Sequence, residues 1–305
     1  MHVAVTGGCG FIGSHVVDHL VADGHEVSVI DVGGPWRNPA ARYHAADLFD
    51  AGALADAVAG AEAVFHLAGA ADVNEVAADP VRAVRLNVEG TARVLDAARQ
   101  AGTGRVLLAS TVWVYGATAG DGERTEAAPV EVSRAGHVYV ATKLAAEMLM
   151  HSYREMYGQH FTILRYGIPY GPRMRDALVV ARFVASARQG MPITIAGTGE
   201  QQRNYVYVED LADAHVRALA PAAADQTLAL EGGTPVSVRE IAETVCDLVA
   251  PVPVEYVPAR AADYAGAAIS GSRAKELLDW APVTPFSAGV RRYLDWLDAT
   301  AAPSS

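Results

Sequence analysis

At 305 residues and 51% apolar content, the chain is long enough to close a substantial core, as one large α/β unit or two smaller ones. A formal charge of -11 argues against a general nucleic-acid binder, and no apolar run reaches the roughly eighteen residues of a membrane span or fits a signal peptide. The expected setting is the cytoplasm, and Cys9 and Cys246, far apart in sequence, read as packing residues rather than a disulfide or a metal site.

In chain order, strands are expected at Val3–Thr6, Glu26–Ile30, Ala63–Leu67 and Arg105–Ser110, and helices at Phe11–Ala22 and Pro80–Ala101. This alternation predicts right-handed βαβ crossovers and a doubly wound parallel sheet. A helix at Tyr139–Tyr157 then leads into a strand at Phe161–Arg165. After Gly167 the texture changes: prolines stand at 169, 172 and 192, a loop at Gly197-Thr198-Gly199, and helices near 209–220, 237–249 and 286–298. The expected organisation is a dinucleotide-binding domain over 1–166, with returning segments near 203–231 that include a strand at Thr227–Leu230. A smaller, interleaved α/β substrate-binding lobe takes 167–202 and 232–305, its end from Ala299 onward fraying. No linker or repeat divides the chain.

The opening Thr6-Gly7-Gly8-Cys9-Gly10-Phe11-Ile12-Gly13 runs from strand to helix through the glycine spacing of a Rossmann dinucleotide site. Gly7 permits the tight turn, Gly10 lets backbone approach a pyrophosphate, and Gly13 allows close helix packing; Phe11 and Ile12 begin the helix whose amino-terminus favours phosphate charge. Asp31 ends the second strand where a carboxylate meets adenosine ribose hydroxyls, which favours NAD over NADP, although nearby Arg37 leaves that choice open. Asp47 and Leu48, with Leu67, Ala68, Gly69 and Ala70 at the end of the Ala63–Leu67 strand, are candidate adenine and pyrophosphate walls, and Tyr166 completes the cofactor set.

Tyr139 and Lys143 stand four residues apart on one helix, so both project from one face as an acid–base pair. An ammonium beside the phenol and an oxidised nicotinamide above it would both stabilise the phenolate. The chain holds only two lysines, Lys143 and Lys275, which makes that placement informative. Thr111 lies at the end of the Arg105–Ser110 strand, at the carboxyl edge of the sheet, in the run Ser110-Thr111-Val112-Trp113-Val114-Tyr115-Gly116.

The glycine pattern, Asn87-Val88-Glu89-Gly90-Thr91, the hydroxyl-x-x-Val-Tyr-Gly strand end and Tyr-x-x-x-Lys together resemble the NAD-dependent nucleotide-sugar epimerase/dehydratase family of extended short-chain dehydrogenases/reductases. The resemblance covers nearly the whole chain. It implies that Thr111 steadies the reacting oxygen, Tyr139 is the base, Lys143 lowers the tyrosine's pKa and holds the nicotinamide ribose, and Asn87 supports the active-site helix. It also implies a homodimer through helices Pro80–Ala101 and Tyr139–Tyr157.

The same resemblance puts the nucleotide-diphosphate sugar against Arg165–Arg173, Gly197–Arg203 and Arg260–Asp263, with Arg203 and Arg260 on the diphosphate and Trp113 and Asp263 among the contacts. Ile168 departs from the family, which often has an asparagine there, so a side-chain contact with the diphosphate is lost. Arg175 points towards an acidic or polar C6 substituent. Ala267, where relatives restricted to plain hexoses carry tyrosine, leaves room for a 2-N-acetyl group. Dehydrating relatives place an acidic pair, and decarboxylating ones a glutamate, where this chain has Val112 and Trp113. Neither moves a proton, so a UDP-hexose 4-epimerase cycle through a transient 4-keto sugar, with NAD and without metal, is the expected activity. A 4-keto sugar reductase or dehydrogenase uses the same residues, and a non-catalytic dinucleotide-binding scaffold is the remaining class.

Overall fold

Strand residues alternate between two faces, and here both faces are covered, so the strands read as nearly unbroken apolar runs. Val3 and Val5 of the first strand pack into one core and Ala4 into the other; Leu107 and Ala109 of the fifth strand join the first core, Val106 and Leu108 the second. The structure, a computed structural model, describes residues 1–117, 122–259 and 268–301.

The strands are β1 (His2–Thr6), β2 (Glu26–Asp31), β3 (Arg42–Ala45), β4 (Ala63–His66), β5 (Arg105–Thr111), β6 (His160–Tyr166), β7 (Ile168–Tyr170), β8 (Ile193–Ala196), β9 (Gln202–Tyr207), β10 (Gln226–Leu230), β11 (Pro235–Ser237) and β12 (Val254–Val257). One parallel sheet runs β10-β6-β5-β4-β1-β2-β3, with the order reversing between β1 and β4. In open α/β sheets the crevice at the carboxyl ends of the strands beside such a reversal holds the ligand. The smaller lobe carries a three-stranded sheet, β11-β9-β7, and a parallel pair, β12-β8.

The helices are α1 (Phe11–Ala22), α2 (Ala51–Val58), α3 (Val73–Ala78), α4 (Pro80–Val84), α5 (Gly90–Gln100), α6 (Val138–Tyr157), α7 (Val179–Arg188), α8 (Val208–Arg217), α9 (Val238–Leu248), α10 (Ser272–Leu278) and α11 (Phe286–Ala301). α1 and α8 cover one face of the large sheet; α2, α5 and α6 cover the other. β9 pairs inside the small sheet, whereas α8, β10 and α10 return to the large one.

The helix expected over Pro80–Ala101 is three pieces, because α4 and α5 are joined by a π-helical turn at Arg85–Glu89. The wider turn accommodates Asn87, which is buried and bonded towards α6. Elements absent from the sequence reading, such as α2, begin on local caps: the Asp50 side chain accepts the Ala53 N–H at 3.0 Å.

α6 is clamped to the sheet by a buried charge pair. Glu147 receives two bonds from Arg165, at 3.0 and 2.6 Å, and one from the Ser110 hydroxyl, with both charged side chains 7% exposed or less. Removing one partner leaves the other charge buried alone. Glu147→Ala is therefore expected to lower unfolding free energy by about 3–5 kcal/mol, and the apolar double variant Glu147→Leu/Arg165→Met to recover most of that loss, both read by urea denaturation.

Candidate active site

The glycine turn is built by contacts that exclude a side chain. Gly7 has φ +71°, its N–H donates to Ile30 O at 2.9 Å, and a Cβ on Gly13 would lie 2.2 Å from Gly7 O. Gly10 caps α1 without a side chain, and the first turn of α1 carries no carboxylate, so the leading N–H groups face the turn with no acidic competitor. Phe11 lies edge-on to His15 against the smaller lobe, and Ile12 packs on the sheet core. Asp31 accepts the Cys9 N–H at 3.0 Å, which ties the end of β2 to the glycine turn. Together these groups fit a dinucleotide: a cradle that a Cβ would fill, unopposed helix N–H groups, and a carboxylate on the adjacent strand end.

The remaining expected cofactor residues stand at or just beyond the ends of β3, β4 and β6. Asp47 accepts the Phe49 N–H at 3.0 Å, Leu48 is buried under α5, and the Leu67 and Ala68 N–H groups bond Thr6 at 3.1 and 3.3 Å. A Cβ on Gly69 would meet Asn87 Oδ1 at 2.7 Å. The Tyr166 ring lies in the core beside Leu164, and its hydroxyl sits 2.5 Å from His215 Nε2. His215 Nδ1 lies 2.7 Å from Leu211 O and must donate there, so Nε2 accepts the Tyr166 proton.

A buried hydrogen-bond chain links this crevice to α6. The Thr91 hydroxyl donates to Asn87 O at 2.7 Å, so it must accept from His66 Nε2 at 3.0 Å; His66 Nδ1 then accepts from the Thr6 hydroxyl at 2.8 Å. Burial pushes the His66 imidazole down to about 3, in keeping with this neutral tautomer. Asn87 is fully satisfied. Its amide donates to Ala70 O at 2.9 Å and to Thr142 Oγ1 at 3.0 Å, and its oxygen accepts the Ala70 N–H at 2.7 Å. Thr142 passes its proton to Tyr139 O at 2.8 Å, so Asn87 holds the first turn of α6. His66 and Thr142 escaped the sequence reading, although a histidine ending a buried strand was a visible signal.

Tyr139 is buried and hydrogen-bonded to Thr111. Burial pushes its phenol up to about 12, opposed by the Thr111 bond and by the Arg175 charge. Lys143 Nζ donates to Ala109 O at 2.8 Å, and burial lowers it to about 8 despite the Glu147 carboxylate. The Arg175 guanidinium, which eases ionisation of Tyr139, itself pairs with Asp72 at 3.2 Å.

A cavity of about 570 Å³ opens beside this pair, lined by Trp113, Ile168, Arg203, Asn204 and Glu231 among others. Trp113 joins the two, its N–H donating to Thr111 Oγ1 at 3.2 Å and its ring standing edge-on to Tyr139 at 6.2 Å. Arg203 lines the cavity, with Nη1 bonded to Gln202 O at 2.7 Å. Arg260, Asp263 and Ala267 lie outside the described residues. Glu231 and Asn204 were missed, because nothing in a short apolar strand marks the charged residue after it as facing a ligand.

A profile of the NAD dependent epimerase/dehydratase family matches residues 3–229. A UDP-glucose 4-epimerase of Mycolicibacterium smegmatis is 34% identical, over 97% of this chain and 98% of its own. The structure of Thermotoga maritima UDP-glucose 4-epimerase with UDP-glucose superposes with a TM-score of 0.91 at 28% identity, covering 99% of this chain and 100% of that one. The Thermus thermophilus UDP-glucose 4-epimerase complex with NAD gives 0.83 at 31% identity, covering 98% and 99%.

Two buried neutral histidines make acid sensitivity a property of the site. His66 and His215, held down to about 3 and about 4, stay unprotonated in the fold while an unfolded chain binds protons near pH 6.5. The stability they confer is complete above pH 6.5 and is lost as pH falls from there towards 4. Urea midpoints between pH 7 and 4.5 should drop accordingly, and His66→Gln and His215→Gln should each remove part of the drop.

Proposed function

The chain belongs to the NAD-dependent epimerase/dehydratase family, and from that premise we propose that it inverts C4 of the hexose of a nucleotide-diphosphate sugar. The carrying observation is the hydrogen-bonded Thr111–Tyr139 pair at the sheet edge, followed directly by Val112 and Trp113, which have no proton to give. Elimination of water or loss of a carboxylate needs a further acid or base in that position. Oxidation and re-reduction at one carbon does not.

NAD, when bound in the glycine cradle, supplies the hydride acceptor and donor. The chain's own groups manage the proton and the geometry. Tyr139 exchanges a proton with the C4 hydroxyl, and Thr111 holds that oxygen within reach of the phenol. Below pH 8 the Lys143 ammonium is charged and stands beside Gly69, at the floor of the cradle. Trp113 and Ile168 form apolar walls that exclude water while the keto sugar presents its other face, and Arg203 supplies a guanidinium for the diphosphate. Exposed Val81, Val84, Met148 and Met156 on α4 and α6 support assembly as a homodimer through that face, and a cytoplasmic setting suits an enzyme dependent on NAD.

The test is incubation with NAD and a panel of UDP- and dTDP-hexoses, including glucose, N-acetylglucosamine and glucuronate forms, following product stereochemistry and NADH absorbance. The expected result is a C4 epimer without accumulating NADH. Stoichiometric NADH would instead establish a dehydrogenase. Tyr139→Phe should lower kcat by about 10²–10⁴-fold while leaving sugar-nucleotide binding within a few-fold of the wild type.

A further inference from the structure

Glu231 is the first residue beyond β10, and it stands at the carboxyl edge of the large sheet. Thr111 pairs with Tyr166 and Tyr166 with Leu230, so Val112, Gly167 and Glu231 follow one another across that edge. Two strand spacings, about 10 Å, separate Glu231 from the Thr111 strand. Its side chain is 5% exposed and lines the cavity beside Ile168 and Asn204.

The side chain reaches the cavity across Gly167. A Cβ on Gly167 would lie 3.0 Å from Glu231 Oε2 and 3.0 Å from Asn204 O, so any larger residue there contests the space of the carboxyl. The Asn204 side chain and the Gly232 N–H bond the carboxyl, whereas Oε1 has no hydrogen-bond partner among the described residues. The bonds therefore fall to Oε2, which leaves the acid proton on Oε1. Burial raises this carboxyl to about 8. A buried, unpartnered O–H costs free energy unless a ligand or water satisfies it.

Resting on the nucleotide-sugar reading above, we propose that Glu231 is a specificity-determining residue whose Oε1–H donates a hydrogen bond to an acceptor oxygen of the bound sugar nucleotide. Ile168, on the neighbouring strand, offers no polar atom on its side chain, so the carboxyl supplies the polar contact on that wall. Ionisation converts the donor into a negative charge facing a negatively charged ligand, and binding weakens. The other ionisable side chains lining the cavity among the described residues are Glu123, Glu200 and Arg203; the β6–β7 segment contributes Ile168. Lys143, held near 8, titrates in the same range and contributes equally to the wild type and to variants at 231.

The experiment is calorimetric titration of the NAD-loaded protein at pH 7 and pH 9. The probe is the nucleotide sugar that the turnover panel identifies, or UDP-glucose if none turns over. If only the neutral carboxyl binds, an acid near 8 predicts a Kd about tenfold weaker at pH 9 in the wild type. Glu231→Gln, near-isosteric and unable to ionise, should lose that rise beyond whatever Lys143 contributes. Glu231→Ala should weaken binding about three- to tenfold at pH 7, with thermal melts verifying that both variants fold. Glu231→Gln with an undiminished rise, or Glu231→Ala binding as tightly as the wild type, overturns the inference and leaves the epimerase reading standing. The pH signature without any turnover overturns the epimerase reading and leaves Glu231 in place. A wild-type protein that binds no nucleotide sugar overturns both.

Discussion

The protein's active architecture depends on a neutral imidazole. His66 ends β4 with one ring nitrogen accepting from Thr6 and the other donating to Thr91, and these bonds join the two strands on either side of the topological reversal to the helix behind them. Asn87 continues the connection from that helix to α6 and so to Tyr139. Charging His66 would put two donors where the site has one acceptor and one donor, and would place a buried cation near Lys143. Thr6, Thr91, Asn87 and the first turn of α6 are thus tied to one ring held in one tautomer.

Burial is the largest single influence on the reacting groups, and it acts in opposite senses. It raises the Tyr139 phenol and lowers the Lys143 ammonium, which brings both toward their uncharged forms. Neither carries a strong charge cheaply in the protein alone. Burial opposes ionisation of the phenol, and Arg175, whose own charge is paired with Asp72, eases it only in part.

The nucleotide-binding half was legible because its signals are local. The glycine spacing, the carboxylate at Asp31 and the Tyr139–Lys143 interval each report a constraint satisfied within a few residues of sequence, and the strands of the large sheet announce themselves as apolar runs. The partners of Lys143 and Arg175 were not legible, because Ala109 and Asp72 meet them from distant elements. The π turn at Arg85–Glu89 escaped for another reason: a helical pattern with one extra residue per turn looks like a helix until the buried Asn87 is located. Glu231 shows the same boundary, since its meaning comes from Gly167 and Asn204, which reach it through the folding of two other strands.

The chain passes back and forth between the large sheet and the smaller lobe: β7 and β9 belong to the lobe, α8 and β10 to the sheet, β11 and α9 to the lobe, and α10 to the sheet again. Such stitching leaves no single hinge about which the two could swing, since any rotation would have to bend every crossing at once. Neither half can be cut away and expressed as a separate module without severing the other's core. Gly167 and Glu231 each occupy one of these crossings, so a change at either is felt in both parts at once.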